Sequence, residues 1–172
     1  ERLIDEKALV CVSHNGRFLV AKPEIHAMEE DLAKVFRNGT APNPHFSDRD
    51  CLFDMVAQIA PQLNPGQRQA AVAALRHSIS LISGGAGSGK TFTLSAVTAV
   101  YEERGLRVVL AAPTGKAAKR LEQVVGHPAG TIHRLLGFNG KDYALGPDDP
   151  INADVIIVDE VSMVDVPLAW QL

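Results

Sequence analysis

Residues 81–94 read LISGGAGSGKTFTL. An apolar run meets Gly84, Gly85, Gly87 and Gly89 in quick succession, and a helix-forming run follows at once. Gly84-x4-Gly89-Lys90-Thr91 is the phosphate-loop pattern, lying between a predicted strand at 79–83 and a predicted helix at about 89–104, the setting that the pattern requires. Glycines let successive backbone N–H groups face phosphate oxygens with no side chain between them. The helix start adds its unpaired N–H groups and the positive end of its dipole. Gly84, Gly85, Ala86, Gly87, Ser88 and Gly89 are therefore candidate nucleotide contacts. Lys90 would reach the β- and γ-phosphates, and the Thr91 hydroxyl would hold Mg²⁺. A flexible glycine turn is the plain alternative. Average residue usage yields the pattern in roughly one in a few hundred chains of this length, and the strand–loop–helix setting makes chance rarer still.

Further along, DVIIVDE (154–160) is an apolar strand that ends in Asp159 and Glu160. Asp159 would hold the same metal, and Glu160 would polarise an attacking water as general base. Two solvated acids at a strand end are the alternative. The adjacent glutamate fits hydrolysis by an additional-strand P-loop ATPase rather than a GTPase switch, and the guanine-reading Asn-Lys-x-Asp pattern is absent. Upstream, LNPGQRQAAVAAL (63–75) offers Gln67 two roles. Its side chain can close a capping box with Asn64, behind Pro65 at the first helical position. It can equally read the adenine edge, accepting from the amino group and donating to N7. Both roles stay open.

The remaining pattern predicts helices at 65–76, 115–125 and near 131–136, with strands at 107–112 and 154–159. Alternating strands and helices imply an α/β fold with a parallel sheet, and strands apolar throughout are expected to be covered on both faces. Nearer the N-terminus, residues 8–21 read as a hairpin turning at His14-Asn15-Gly16-Arg17. Pro23 opens a helix to about Asn38 whose stripe of Ile25, Met28, Leu32, Val35 and Phe36 is expected to be buried. After a proline-rich connector (39–46), Ser47 is expected to cap a helix carrying Leu52, Phe53, Val56 and Ile59. Two units follow: a hairpin and helical appendage over 1–60 and an ATPase domain over 61–172.

The 172 residues are 46% hydrophobic and 22% charged, ordinary for a globular protein, and the net charge of −3 points to no nucleic acid by itself. No apolar run is long enough to span a bilayer and no signal-peptide pattern is present, so a cytoplasmic protein without a membrane partner is expected. Cys11 and Cys51 lack metal-ligand spacing and are expected to be free, partly buried thiols. The chain begins without methionine and stops at VPLAWQL, inside a helix-like run, as a piece of a longer protein would.

In their order, LNPGQRQA (63–70), GGAGSGKT (84–91), AAPTGKAAKRL (111–121), GTIHRLLG (130–137) and VIIVDEVSMVD (155–165) resemble the RecD-like branch of superfamily 1 DNA helicases. The resemblance implies a partial RecA-like P-loop domain that uses ATP and Mg²⁺. It assigns the adenine contact to Gln67, catalysis to Lys90 and Glu160, and metal binding to Thr91 and Asp159. Its DNA-facing motifs fall on Pro113, Thr114 and Gly115, and on Thr131, His133 and Arg134, with Thr114 also assigned to the nucleotide site. Single-stranded DNA, a second RecA-like domain of the same parent chain and other DNA-repair subunits are the implied partners, with 5′ to 3′ translocation.

Physically, the turn at 113–115 offers N–H groups to a DNA phosphate. His133 can stack on a base, bond a phosphate or simply be a satisfied histidine. Thr114 is a good N-cap, and Lys116, Lys119 and Arg120 share a face that is expected to be solvated. In the additional-strand class, the strand between the P-loop strand and the Asp159 strand comes later than Asp159. The sheet is thus expected to have a gap, filled by a longer chain, by another copy, or by direct pairing of the two flanking strands. Little turnover by these residues alone is expected. The helicase portion of a conjugative relaxase, a P-loop regulatory subunit and a small-molecule phosphotransferase are the other readings.

Overall fold

The computed structural model describes residues 8–39, 41–47, 51–146 and 148–172; residues 1–7, 40 and 48–50 of the expected N-terminal unit lie outside the described residues. Strands β1 (Val10–His14) and β2 (Arg17–Ala21) pair antiparallel. Asn15 (φ 51°) and Gly16 (φ 74°) supply the two positive dihedrals that a two-residue turn needs. Helix α1 (Pro23–Asn38) follows with proline in its first turn. Its stripe is not buried as expected: no residue of α1 is buried, and Val35 and Phe36 are more than half exposed. The helix rests against the six-residue α7 (Val166–Gln171), which is too short to cover it.

Helix α2 (Leu52–Ile59) is entered from Cys51, whose own side chain makes no cap bond; the start expected just after Ser47 falls on residues 48–50, outside the described residues. Cys11 and Cys51 are free but exposed, one on the hairpin and one at this helix entry, rather than partly buried.

Helix α3 (Pro65–Arg76) and helix α4 (Lys90–Glu103) precede β3 (Val108–Ala112), α5 (Gly115–Val125), β4 (Ala129–Thr131), α6 (Ile132–Leu135) and β5 (Val155–Val158). Local chemistry places these ends. Asn64 and Gln67 close the capping box of α3, the Thr114 hydroxyl accepts from Ala117 N–H, and Gly126 in the left-handed region stops α5. The three strands form a parallel sheet in the order β4-β3-β5, so the expected α/β architecture with a small N-terminal hairpin is observed.

One core joins Leu52 and Val56 of α2, Val72 and Leu75 of α3, Val97, Val100 and Tyr101 of α4, Leu110 of β3, Leu121 of α5 and Ile157 of β5. A second cluster, around Ala111, Ile132, Leu136 and Leu168, lies beneath α6 and α7. Arg107 ties the start of β3 to β5 through Asp154, at 3.2 Å from its Nε, and through Asn152. The Arg107 guanidinium and N–H hold the Asp154 carboxyl below the usual carboxylate range. Among the described residues, no helix is long and apolar enough to cross a membrane.

Two sheet expectations are corrected. Residues 79–83 form no strand; β5 pairs with β3, and no pairing of β5 with 79–83 is present among the described residues. The start of the segment bonds instead to the connector, with Ile79 N–H donating to Gly39 C=O and Ser78 N–H to Ala41 C=O, both at 3.0 Å. Beyond it, an open cleft of about 400 Å³ separates Ile79 and Leu81 from Ala70, Ala73 and Ala74 of α3, and Leu81 is 77% exposed. The physical reason is the absence, among the described residues, of a strand between this segment and β5. Without one, the segment's backbone has no ladder to join. Strand β5 is correspondingly not covered on both faces: only Ile157 is buried, whereas β3 is buried along nearly its whole length.

Candidate nucleotide site

The loop from Gly84 to Gly89 joins the unpaired segment to α4, whose first residue is Lys90. Gly89 takes φ 81°, a dihedral that a side chain would strain, and its carbonyl accepts from both the N–H and the hydroxyl of Thr93. The loop is thereby anchored to the first turn of α4. Lys90 Nζ donates to the carbonyls of Gly84 and Gly85 at 2.7 and 3.0 Å, so the ammonium lies across the mouth of the loop.

Thr91 and Asp159 are 68 positions apart in the chain, yet Thr91 Oγ1 donates to Asp159 Oδ2 at 3.0 Å. The other carboxylate oxygen, Oδ1, accepts from Glu160 N–H at 2.9 Å. Glu160 has φ 55°, a left-handed backbone that non-glycine residues seldom adopt, and it sharply ends β5 with its side chain exposed. The donor set is a hydroxyl and a carboxylate, both hard oxygen ligands. Among the described residues, no group of three or more His, Cys, Asp or Glu could hold a metal. That combination fits Mg²⁺, which takes one or two protein oxygens and completes its shell with phosphate and water.

Gln67 fills its structural role in full: its Oε1 accepts from Asn64 N–H and its N–H donates to Asn64 Oδ1. The same side chain also reaches the loop, Nε2 donating to Ser88 C=O at 3.1 Å.

The other predicted residues form a neighbouring group. Ala112 pairs in register with Thr131, so Pro113–Gly115 and Thr131–Arg134 leave the same end of the sheet side by side. Both threonine hydroxyls are N-caps, Thr114 accepting from Ala117 N–H and Thr131 from Arg134 N–H, each at 3.2 Å. Arg134 is exposed and His133 half-buried. The His133 ring stands 5.4 Å from that of Phe138 and 6.1 Å from that of Tyr143, and these two rings lie 4.8 Å apart. Sequence reasoning missed Phe138, Tyr143 and the Ser88 contact. The aromatic pair flanking Asn139-Gly140 in FNGKDY was the available signal for the rings, whereas the Ser88 carbonyl carried none.

A family model described as an AAA domain matches residues 67–172. The chain is 35% identical over 157 residues to the ATP-dependent RecD2 DNA helicase of Deinococcus radiodurans, covering 91% of this chain and 22% of that protein. It is also 35% identical over 132 residues to the RecBCD enzyme subunit RecD of Haemophilus influenzae, covering 62% of this chain and 21% of that protein. The ATP-dependent DNA helicase PIF1 of Trypanosoma brucei brucei is 32% identical over 105 residues. The chain spans about a fifth of the length of the two RecD-type relatives.

Proposed function

Since the chain belongs to the AAA-domain family and to the RecD-like helicases of superfamily 1, we propose that it binds ATP with Mg²⁺ and carries part of a single-stranded DNA track. The observation that carries this reading is the 3.0 Å contact between Thr91 and Asp159, which brings the end of the phosphate loop to the end of β5.

On nucleotide binding, Lys90 exchanges the carbonyls of Gly84 and Gly85 for β- and γ-phosphate oxygens, and loop N–H groups bond the same phosphates. Thr91 and Asp159 would hold Mg²⁺, which would supply positive charge to offset the charge that develops on the transferring phosphoryl group. Where the site is completed, Glu160 would accept a proton from the water that attacks the γ-phosphorus as the bond to the ADP leaving oxygen breaks. Gln67 has one amide N–H and one oxygen lone pair beyond those already used, the pair that an adenine edge can match. Pro113–Gly115 and Thr131–Arg134, His133 among them, meet the DNA backbone. A cytoplasmic site of action and assembly with DNA-repair subunits accord with that substrate.

Equilibrium titration with Mg²⁺–ATP tests the nucleotide reading, with Lys90→Ala as the comparison. Saturable binding that Lys90→Ala weakens by tenfold or more, about 1.4 kcal/mol, is the expected result. Binding that is absent, or indifferent to Lys90, overturns it.

A further inference from the structure

Gln67 is tied at three points. Its N–H and Oε1 close the capping box with Asn64 at 2.9 and 3.1 Å, and its Nε2 crosses to the Ser88 carbonyl at 3.1 Å. The partners set the amide orientation, because Asn64 N–H requires an acceptor and the Ser88 carbonyl requires a donor.

That carbonyl shares one planar trans peptide with Gly89 N–H, and the two groups point in opposite directions. Holding the Ser88 oxygen against α3 turns the Gly89 N–H away from α3. The unit needs an anchor on this side, because Gly89 occupies the left-handed region where glycine moves freely. On its other side, Gly89 is already held by Thr93, at 2.8 Å from the Thr93 N–H and 3.1 Å from its hydroxyl. The packing is close: a Cβ on Gly89 would run into Gln67 Nε2.

We propose that Gln67 is a positioning residue for the phosphate cradle, orienting the Ser88–Gly89 peptide so that the Gly89 N–H faces a bound polyphosphate whatever base is attached. The inference rests on the nucleotide reading above and adds to it a role that needs no adenine. A base bonded to the spare donor and acceptor of the same amide shifts the loop through that one side chain.

Inorganic tripolyphosphate with Mg²⁺ has the phosphates and no base. Its affinity, and that of Mg²⁺–ATP, is measured by titration calorimetry for the 172-residue chain, Gln67→Met and Asn64→Ala, with thermal midpoints recorded alongside. Gln67→Met keeps length and helix propensity but has no donor. Asn64→Ala removes the cap on α3 and leaves the Gln67 amide in place. The expected result is a loss of about tenfold in tripolyphosphate affinity for Gln67→Met, the scale of one hydrogen bond to an ordered loop. Asn64→Ala is expected to lower the thermal midpoint while binding tripolyphosphate like the parent. If Gln67→Met weakens ATP alone, the amide serves only the base and the inference is overturned while the nucleotide reading stands. Equal weakening of tripolyphosphate by both variants overturns it in favour of a helix-cap effect. A parent chain that binds tripolyphosphate in no Lys90-dependent way overturns the nucleotide reading itself, and the inference with it.

Discussion

Asn43, only 4% exposed, uses its amide in both directions. Nδ2 donates to the Leu75 carbonyl at 3.0 Å and meets the Tyr101 hydroxyl at 2.7 Å, while Oδ1 accepts from His45 N–H at 3.0 Å. This one residue of the connector thus satisfies buried polar groups on α3 and α4. Asn43→Ala leaves them unpaired, and a loss of about 2–4 kcal/mol is expected in urea unfolding. Burial pushes the Tyr101 phenol above its ordinary value, and the Asn43 hydrogen bond pulls the other way more weakly. The folded state therefore holds that proton more tightly than the unfolded chain. The associated stability is complete below about pH 10 and falls as pH rises toward the folded value. Urea unfolding of the parent and of Tyr101→Phe over that alkaline range should show a steeper decline for the parent; parallel declines would contradict the burial argument.

At the scale of elements, the exchange of a sheet strand for contacts with the connector depends on Gly39. A Cβ there would fall 2.5 Å from Ile79 Cβ and 2.6 Å from its Cγ1 and Cδ1. Its φ of −69° is open to any residue, so the constraint is steric. Gly39→Ala should cost about 1–3 kcal/mol by overpacking, and Ile79→Gly in the same chain should recover part of that in a double-mutant cycle. Additive losses would place the strain elsewhere. Helix α2 belongs to the same core as α3 and α4, for Val56 is fully buried against them. Val56→Ala should therefore lower one cooperative urea transition by roughly 1–3 kcal/mol. A second transition, moving alone, would make the region before residue 60 an independent unit.

Across the whole molecule, apolar groups remain in solvent at Phe18 on the hairpin, Leu81 just before the phosphate loop, Ile156 on β5 and Met163 a few residues after it. In P-loop enzymes an arginine supplied from outside the nucleotide-binding domain can contribute ~10³–10⁵ in rate, and none of the candidate nucleotide contacts named above is an arginine. Steady-state assays of these 172 residues with Mg²⁺–ATP are accordingly expected to show nucleotide binding with turnover near background, with or without single-stranded oligonucleotide. DNA-stimulated turnover abolished by Lys90→Ala would mean that another copy completes the site.

Helix ends and turns were legible in the linear chain because their causes lie within a few residues. Pro23, the Asn64–Gln67 box, Thr114 with Gly126, and Asn15-Gly16 mark boundaries wherever the chain folds. The spacing of the phosphate loop and the Asp159–Glu160 pair likewise named the candidate chemistry. Contacts between distant parts of the chain required the tertiary structure. The apolar run at 79–83 has strand composition, yet hydrogen-bond partners must come from elsewhere, and Ile79 at its start found one at Gly39. The stripe of α1 has a buried pattern, but burial depends on what packs against it, and α7 is short. Gln67 held both of its readings open in sequence. Only folding brought Ser88, 21 positions away, within 3.1 Å of its amide, because hydrogen bonds depend on proximity in space rather than along the chain.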